Sequence, residues 1–181
     1  MTRTSLDALR RIDEDLPRLN RAQRVAFAAG CVERILPVIR DHFGDPRIFE
    51  EALDLCWRFA TGEELDPASV AKLDSLIEAE LDELYSAGEA GALLNAVKAV
   101  LIALRSTQQL EARVPADAAM NAAEVAEANL GGARGQEQIA EERQWQLRAL
   151  DIVFATIPPM RSMFEPITAE PSWLKTYLST R

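Results

Sequence analysis

The stretch FAAGCVERILPVIRDHF, from Phe27 to Phe43, decides the fold class because its apolar residues recur at helical spacing. At about 100° per residue they cover more than half of a helical wheel, and Glu33 and Arg34 lie at the margin. This pattern predicts a deeply buried helix with a charged pair at the edge of the core. Adjacent residues diverge on a helix, so we expect each to pair with a residue of a neighbouring helix.

The segments on both sides of this stretch show the same three- and four-residue apolar spacing, and none keeps the alternation of a strand. We predict an all-α, single-domain bundle of about six to seven helices over residues 1–181, with a docked C-terminal tail. In order, we predict a short N-terminal helix in 1–18, helices near 20–43, 46–61, 67–87, 92–110, 116–130 and 137–157, and an aromatic tail in 160–181.

The third and fourth helices have the clearest boundaries. Each should begin at an Asp-Pro pair, with Asp45 and Asp66 as caps, because Asp favours the N-cap and Pro the first helical turn. A glycine follows the last apolar residue of each helix. The segment GGARGQEQ, residues 131–138, predicts a flexible link before the last helix.

Negative charge is concentrated in the middle of the chain. The formal net charge is −9, and residues 48–90 carry twelve acidic side chains but only Arg58 and Lys72 as basic ones. Such a field repels nucleic acid and attracts basic proteins. We therefore predict a binding surface, the acidic face, formed by Glu78, Asp82 and Glu83 on the fourth helix, for a basic partner protein and not for nucleic acid.

The sequence contains no recognisable set of catalytic residues. His42 is the single histidine, and neither a nucleophile elbow nor a phosphate-binding loop is present. We therefore favour a protein that is not an enzyme and needs no cofactor. The alternative is a Mg²⁺-dependent all-α hydrolase of nucleotides or other phosphorylated molecules, with two carboxylate pairs as ligands: Glu51 and Asp54, and Glu80 and Glu83.

The remaining features indicate a cytoplasmic protein. No run reaches the roughly 18 apolar residues that a membrane span needs, and the first residues lack the apolar core of a secretory signal. Cys31 and Cys56 lie in apolar helical patterns and should be buried free thiols. Trp57 should belong to the core, whereas the charged residues around Trp145 should form surface pairs: Glu141, Glu142, Arg143 and Arg148.

One run of residues resembles a known family. Gln23, Val25, Phe27, Ala29, Glu33, Arg34 and Pro37 match the pattern Q-x-V-x-F-x-A-x-x-x-E-R-x-x-P of the YjaG-like bacterial family. The later LDLCW, residues 53–57, is similar to that family's L-D-L-x-W. The resemblance implies an all-helical cytoplasmic domain of unknown function and supplies no catalytic residue.

Together these patterns favour a non-enzymatic protein-binding module, one version of which is an immunity or antidote protein that covers a basic toxin. A homodimer joined through the aromatic tail is compatible with this interpretation. For Glu33 and Arg34 we expect a structural role that holds the bundle in register. The alternative is that they form the polar floor of a small-molecule pocket.

Overall fold

The protein is an all-α bundle in the computed structural model, which describes residues 3–89, 91–109, 111, 113–130, 132–164 and 173–174. Over these residues it has seven α-helices: α1 (Arg3–Asp15), α2 (Arg21–His42), α3 (Arg47–Ala60), α4 (Pro67–Ser86), α5 (Ala92–Ser106), α6 (Arg113–Leu130) and α7 (Gly132–Ala155). Short 3₁₀ turns follow α1 at Leu16–Arg18 and α7 at Arg161–Met163. The predicted fold class is confirmed.

Helix α2 lies at the centre of the bundle, as its apolar pattern predicts. It begins with a capping box: Asn20 Oδ1 accepts from Gln23 N at 2.9 Å, and Gln23 Oε1 accepts from Asn20 N at 3.0 Å. The helix packs against α3, α5, α6 and α7, and the side chains from Val25 to Ala29 are fully buried. The buried stripe of α2 therefore packs among these four helices.

Helix α5 is the second core helix. Eleven of its 15 residues are buried, and it packs against α2, α3, α4 and α6. Its near-uniform apolar circumference is typical of a helix surrounded by others. Helix α5 therefore lies in the interior of the bundle.

The ends of α3 and α4 follow the predicted signals closely. Asp66 caps α4, since its carboxylate accepts from the backbone N of Ala68 and Ser69 at 3.2 and 3.0 Å. Helix α3 begins one residue later than predicted, with Pro46 at the cap position, although Asp45 still accepts from Arg47 N at 3.2 Å. Both helices therefore begin within one residue of the predicted position.

The predicted flexible link between the last two helices is wrong. Helix α7 begins at Gly132, so the glycine-rich segment is helical from that residue onward. Gly135 is buried in it. The low helix propensity of glycine therefore does not prevent a helix at this position.

Three large apolar residues of the C-terminal tail are buried in the body, whereas Met160 and Arg161 are exposed. Phe164, Trp173 and Leu174 are at most 1% exposed. The ring of Phe164 packs edge-on against Trp57, with 5.2 Å between the ring centroids. The predicted burial of Trp57 is confirmed, and the remaining aromatic position of the tail, Tyr177, lies outside the described residues.

Candidate functional site

The acidic face lies on α4, at the side of the bundle. Val70, Leu73 and Ile77 bury the inner side of this helix against α3 and α5. The three residues of the acidic face, Glu78, Asp82 and Glu83, are all solvent-exposed on its outer side. The amphipathic pattern of α4 therefore orients the predicted surface towards solvent.

Ion pairs neutralise much of the acidic block but leave the end of α4 negative. Arg105 on α5 binds Asp74 and also donates to Glu78 at 3.1 Å, and Asp74 and then Glu78 raise the pKa of Arg105. Among the described residues, no ion pair involves Asp82 or Glu83. Three of the acids without an ion pair among the described residues, Glu80, Asp82 and Glu83, thus lie in the last two turns of α4.

The position of Glu83 is locally unfavourable. It lies in the last turn of α4, where the helix dipole places partial negative charge, and that turn contains no basic residue. A carboxylate there lowers helix stability slightly. A residue that destabilises its own helix and has no compensating contact is expected at a functional surface.

A groove of about 560 Å³ lies between α3 and α4. Its apolar lining residues are Ile48, Leu55, Leu73 and Leu76, and its polar ones are Glu51, Asp54, Arg58, Ser69 and Lys72. The sequence pattern places Leu76 on the buried stripe of α4, but this side chain is 41% exposed. Since α3 and α4 diverge enough to leave a groove, Leu76 faces that groove and not the core.

The two carboxylate pairs proposed as Mg²⁺ ligands lie in different places. Glu51 and Asp54 line the groove, whereas Glu80 and Glu83 are not among its lining residues. Asp54 also accepts from Arg161 Nη1 at 3.0 Å. Within the described part of the chain, no three His, Cys, Asp or Glu side chains are grouped closely enough to hold a metal ion.

Glu33 and Arg34 each pair with a residue distant in sequence. Glu33 accepts from Arg161 Nε at 2.6 Å, and Arg34 Nε donates to Glu142 Oε2 on α7 at 2.7 Å. The side chain of Arg34 is only 4% exposed and stacks over Trp145, 5.1 Å from the ring centroid. Arg34 therefore lies inside the core, deeper than the margin where the helical wheel places it.

The surface pairs predicted around Trp145 are wrong for two residues, Glu142 and Arg143. Glu142 is fully buried and Arg143 is 4% exposed. Arg143 Nη1 donates to Gln146 Oε1 at 2.8 Å, and Gln146 Nε2 donates to the carbonyl of Ala119 on α6 at 2.7 Å. Together with the Arg34–Glu142 pair, these side chains form a buried polar network between α2, α6 and α7.

Burial dominates the electrostatics of this network. It raises the pKa of Glu142 above its ordinary value, and the charge and hydrogen bond of Arg34 oppose that shift. Glu142 Oε1 has no hydrogen-bond partner of normal geometry within the described residues, and the nearby indole of Trp173 lowers the pKa only slightly. Burial likewise raises the pKa of the Cys31 thiol.

A sequence signal for the buried network does exist. Glu142 and Gln146 share one helical stripe with Ile139, Ala149 and Val153, all of which are buried. A polar residue on such a stripe needs a buried partner, and Arg34 is the residue of α2 that supplies it.

The comparisons with known proteins find no matching family model, curated protein or solved structure. Among the described helices, none combines the length and apolar character that a membrane span requires.

Proposed function

We propose that this chain is a non-enzymatic protein-binding module whose acidic face binds a basic partner protein. The proposal rests mainly on the exposure of Asp82 and Glu83 on α4, where neither has an ion-pair partner among the described residues. Such charges accelerate encounter with a basic surface and select against acidic partners. One version of this function is an antidote that covers a basic toxin.

The buried pair supports a scaffold role for the rest of the bundle. Arg34 and Glu142 bind each other inside the core, whereas Glu78, Asp82 and Glu83 lie exposed on α4. Protein interfaces combine such charges with apolar anchors. Leu76 and Tyr85 are exposed large apolar residues on the same helix.

The test is affinity capture of the tagged protein from its host's lysate, at about 0.05 M and about 0.5 M salt, with identification by mass spectrometry. We expect a basic protein that is retained at low salt and released at high salt. The variant Glu78→Gln/Asp82→Asn/Glu83→Gln should lose it.

A matched control removes three equally exposed charges elsewhere. Asp7, Glu14 and Glu137 lie on α1 and α7, which do not border α4. Replacing them with their amides changes the net charge by the same amount and should leave capture intact. Retention of the same partner by the acidic-face variant, or an empty capture at low salt, would overturn the proposal.

Membership of the YjaG-like family is a further proposal. The polar residues of the resembling run have defined structural roles: Gln23 joins the cap of α2 to the carbonyl of Val153, and Arg34 binds Glu142. We expect a family member's structure to contain the same buried pair between its second and last long helices. A member without it would contradict the assignment.

A cytoplasmic location is also proposed. Cys31 and Cys56 are free, buried thiols on different helices, which is typical of proteins from a reducing compartment. Fractionation of cells that express the tagged chain, with markers for each compartment, would test the location directly.

A further inference from the structure

A separate pocket of about 360 Å³ lies away from the acidic face, among the ends of four helices. Its lining comes from the start of α2, the end of α3, the loop and first turn that follow, and the residues after α5: Arg21, Phe59, Glu64, Leu65, Pro67, Val70, Thr107 and Gln108. Val70 and Thr107 are 3% and 5% exposed, whereas Glu64 and Gln108 are exposed, so the lining extends from solvent into the bundle.

The walls of this pocket are mainly apolar. Phe59 and Leu65 are half-buried against the core, and Val70 belongs to the core itself. The volume lies within the roughly 300–1,000 Å³ typical of small-molecule sites, which are lined by apolar and aromatic side chains with a few polar groups. The pocket is therefore suited to the apolar part of a small ligand.

Arg21 is the cation of this pocket. Its Nη2 donates to the carbonyl of Thr107, and its guanidinium lies over Phe59, with Cζ 4.9 Å from the ring centroid. Its other donors, including a buried Nε, make no hydrogen bond within the described residues, and no acid there pairs with it. The guanidinium is thus held in place, half-buried and without a counter-charge.

Arginines beside this pocket on α3 and α5 are satisfied differently. Arg58 pairs with Glu63, and Arg105 pairs with Asp74. Arg21 binds only a neutral carbonyl and an aromatic ring. Because the planar guanidinium matches a carboxylate in two parallel hydrogen bonds, a carboxylate is the group that would complete its contacts.

Glu64 is the lining residue of opposite charge. It is exposed and forms no ion pair with Arg21 or with any other described residue. Salt screens the charge of an exposed group more strongly than that of a half-buried one. We therefore expect Arg21 to determine the charge of the ligand, and Glu64 to weaken its binding by a small factor.

We propose that this pocket binds a small carboxylic acid with an apolar body, whose carboxylate pairs with Arg21 and whose apolar part packs on Phe59 and Leu65. The site is additional to the acidic face and needs no protein partner. A ligand of the same shape without the carboxylate would leave the half-buried charge unpaired, so it should bind more weakly.

The test compares 3-phenylpropionate with 3-phenylpropan-1-ol, which has the same apolar body but no carboxylate. Titration of the isotope-labelled full chain, followed by backbone amide chemical shifts, gives both the affinity and the location of each ligand. We expect the acid to bind saturably and at least about tenfold more tightly than the alcohol. The largest shifts should occur at Arg21, Phe59 and Thr107.

Three variants test the role of the charges. Arg21→Gln removes the charge but keeps an amide donor for the Thr107 carbonyl, so it should weaken the acid at least about tenfold and bind acid and alcohol equally. Arg18→Gln is the matched control, because it removes the same charge from an exposed arginine outside the pocket. Glu64→Gln should tighten the acid about two- to threefold, the effect expected for an exposed charge.

The preference for the acid is a ratio of two affinities on one protein, so a variant that is only less stable does not change it. Equal binding of acid and alcohol by the wild type would overturn the inference, as would a preference that persists in Arg21→Gln. Absence of saturable acid binding up to about 10 mM, or shifts confined to residues outside the lining, would do the same. None of these results bears on the acidic face, which the capture experiment tests separately.

Discussion

Arg34 and Glu142 form the most deeply buried ion pair in the described structure, with side chains 4% and 0% exposed. Removing two charges from water is expensive, so such a pair contributes little net stability compared with apolar residues of similar shape. Removal of one partner is different, because it leaves an uncompensated charge in the core. The pair is therefore best explained as a device that specifies how α2 and α7 pack.

We predict that Arg34→Met lowers the free energy of unfolding by about 3–5 kcal/mol at neutral pH. The double variant Arg34→Met/Glu142→Leu should recover much of this loss, because it removes the isolated carboxylate. Urea denaturation followed by far-UV circular dichroism measures both, with the exposed Arg18→Met as control. Full stability combined with loss of a bound small molecule would instead support the pocket interpretation.

The loss in Arg34→Met should depend on pH. Burial raises the pKa of Glu142, whereas Arg34 lowers it. Without Arg34, the Glu142 carboxyl of the folded variant therefore keeps its proton to a higher pH than it does in the wild type. Below its folded-state pKa the buried group is neutral and its desolvation penalty disappears. The destabilisation should therefore be smaller at about pH 5 than at about pH 7, as repeated denaturation curves would show. An equal loss at both values would place the cause in packing alone.

Gly30 is needed where the tail crosses α2. A β-carbon at this position would lie 2.7 Å from Cε1 and 2.8 Å from Cδ1 of Phe164. We predict that Gly30→Ala lowers the free energy of unfolding by about 1–3 kcal/mol through overpacking, despite its better helix propensity.

Two further variants test this explanation by the same measurement. Gly30→Ala/Phe164→Leu should regain part of the stability, since the shorter side chain leaves room for the methyl group. Gly44→Ala is the control, because a β-carbon there meets nothing within 4 Å. If Gly30→Ala were as harmless as the control, Phe164 would not be tightly packed against α2.

At the scale of elements, the segment after α7 is attached to the bundle by two kinds of contact. Arg161 binds Glu33 and Asp54 but remains 46% exposed, whereas Phe164 is fully buried. Exposed ion pairs contribute about 0–1 kcal/mol, and truncation of a buried phenylalanine costs about 3–5 kcal/mol. Apolar burial should therefore dominate the attachment of the tail.

We predict that Phe164→Ala destabilises the protein several times more than Arg161→Ala does. Thermal and urea unfolding of both variants provide the comparison. At high salt the small effect of Arg161→Ala should shrink further, whereas that of Phe164→Ala should persist. Equal effects of the two substitutions would show that the ion pairs, and not the aromatic ring, hold this segment.

Sequence reasoning at this scale succeeds where short-range chemistry decides. The Asp66-Pro67 start of α4 is found as predicted, because capping depends on residues within one turn. The glycine-rich start of α7 is helical where a flexible link was predicted, so the low helix propensity of glycine misled the prediction. Leu76 also deviates, since its exposure depends on the separation of α3 from α4.

For the whole molecule, the two cysteines report on the integrity of the core. Cys31 on α2 and Cys56 on α3 are at most 1% exposed, and burial raises the pKa of Cys56 to about 12. Since the thiolate is the reactive form, both should resist a thiol reagent at about pH 8 in the native state.

We predict that both thiols become reactive together when urea unfolds the chain, with a midpoint that matches the circular-dichroism transition. Such coincidence is expected of a cooperative single-domain bundle. The reagent 5,5′-dithiobis(2-nitrobenzoate) gives a direct optical signal. Reaction of one thiol well before the other would show that α2 and α3 belong to separately unfolding parts.

The fold class, most helix positions and the location of excess negative charge are predictable from the amino-acid sequence. These properties depend on periodicity, capping and composition, all of which are local. The sequence also indicated that Glu33 and Arg34 would pair with distant residues instead of each other, and their contacts with Arg161 and Glu142 agree.

Packing between helices determines which charged residues are buried, where the groove lies and which acids lack an ion pair within the described part of the chain. In the sequence Glu142 resembles the other acids of α7, and it is buried because α7 packs against α2. Asp74 and Asp82 lie on the same helix, but Arg105 binds Asp74 and not Asp82. Both distinctions arise from distances between helices that are far apart in the chain. Local patterns do not encode those distances. The sequence therefore predicts an acidic helix, and the packing of α4 against α5 determines which of its acids form ion pairs.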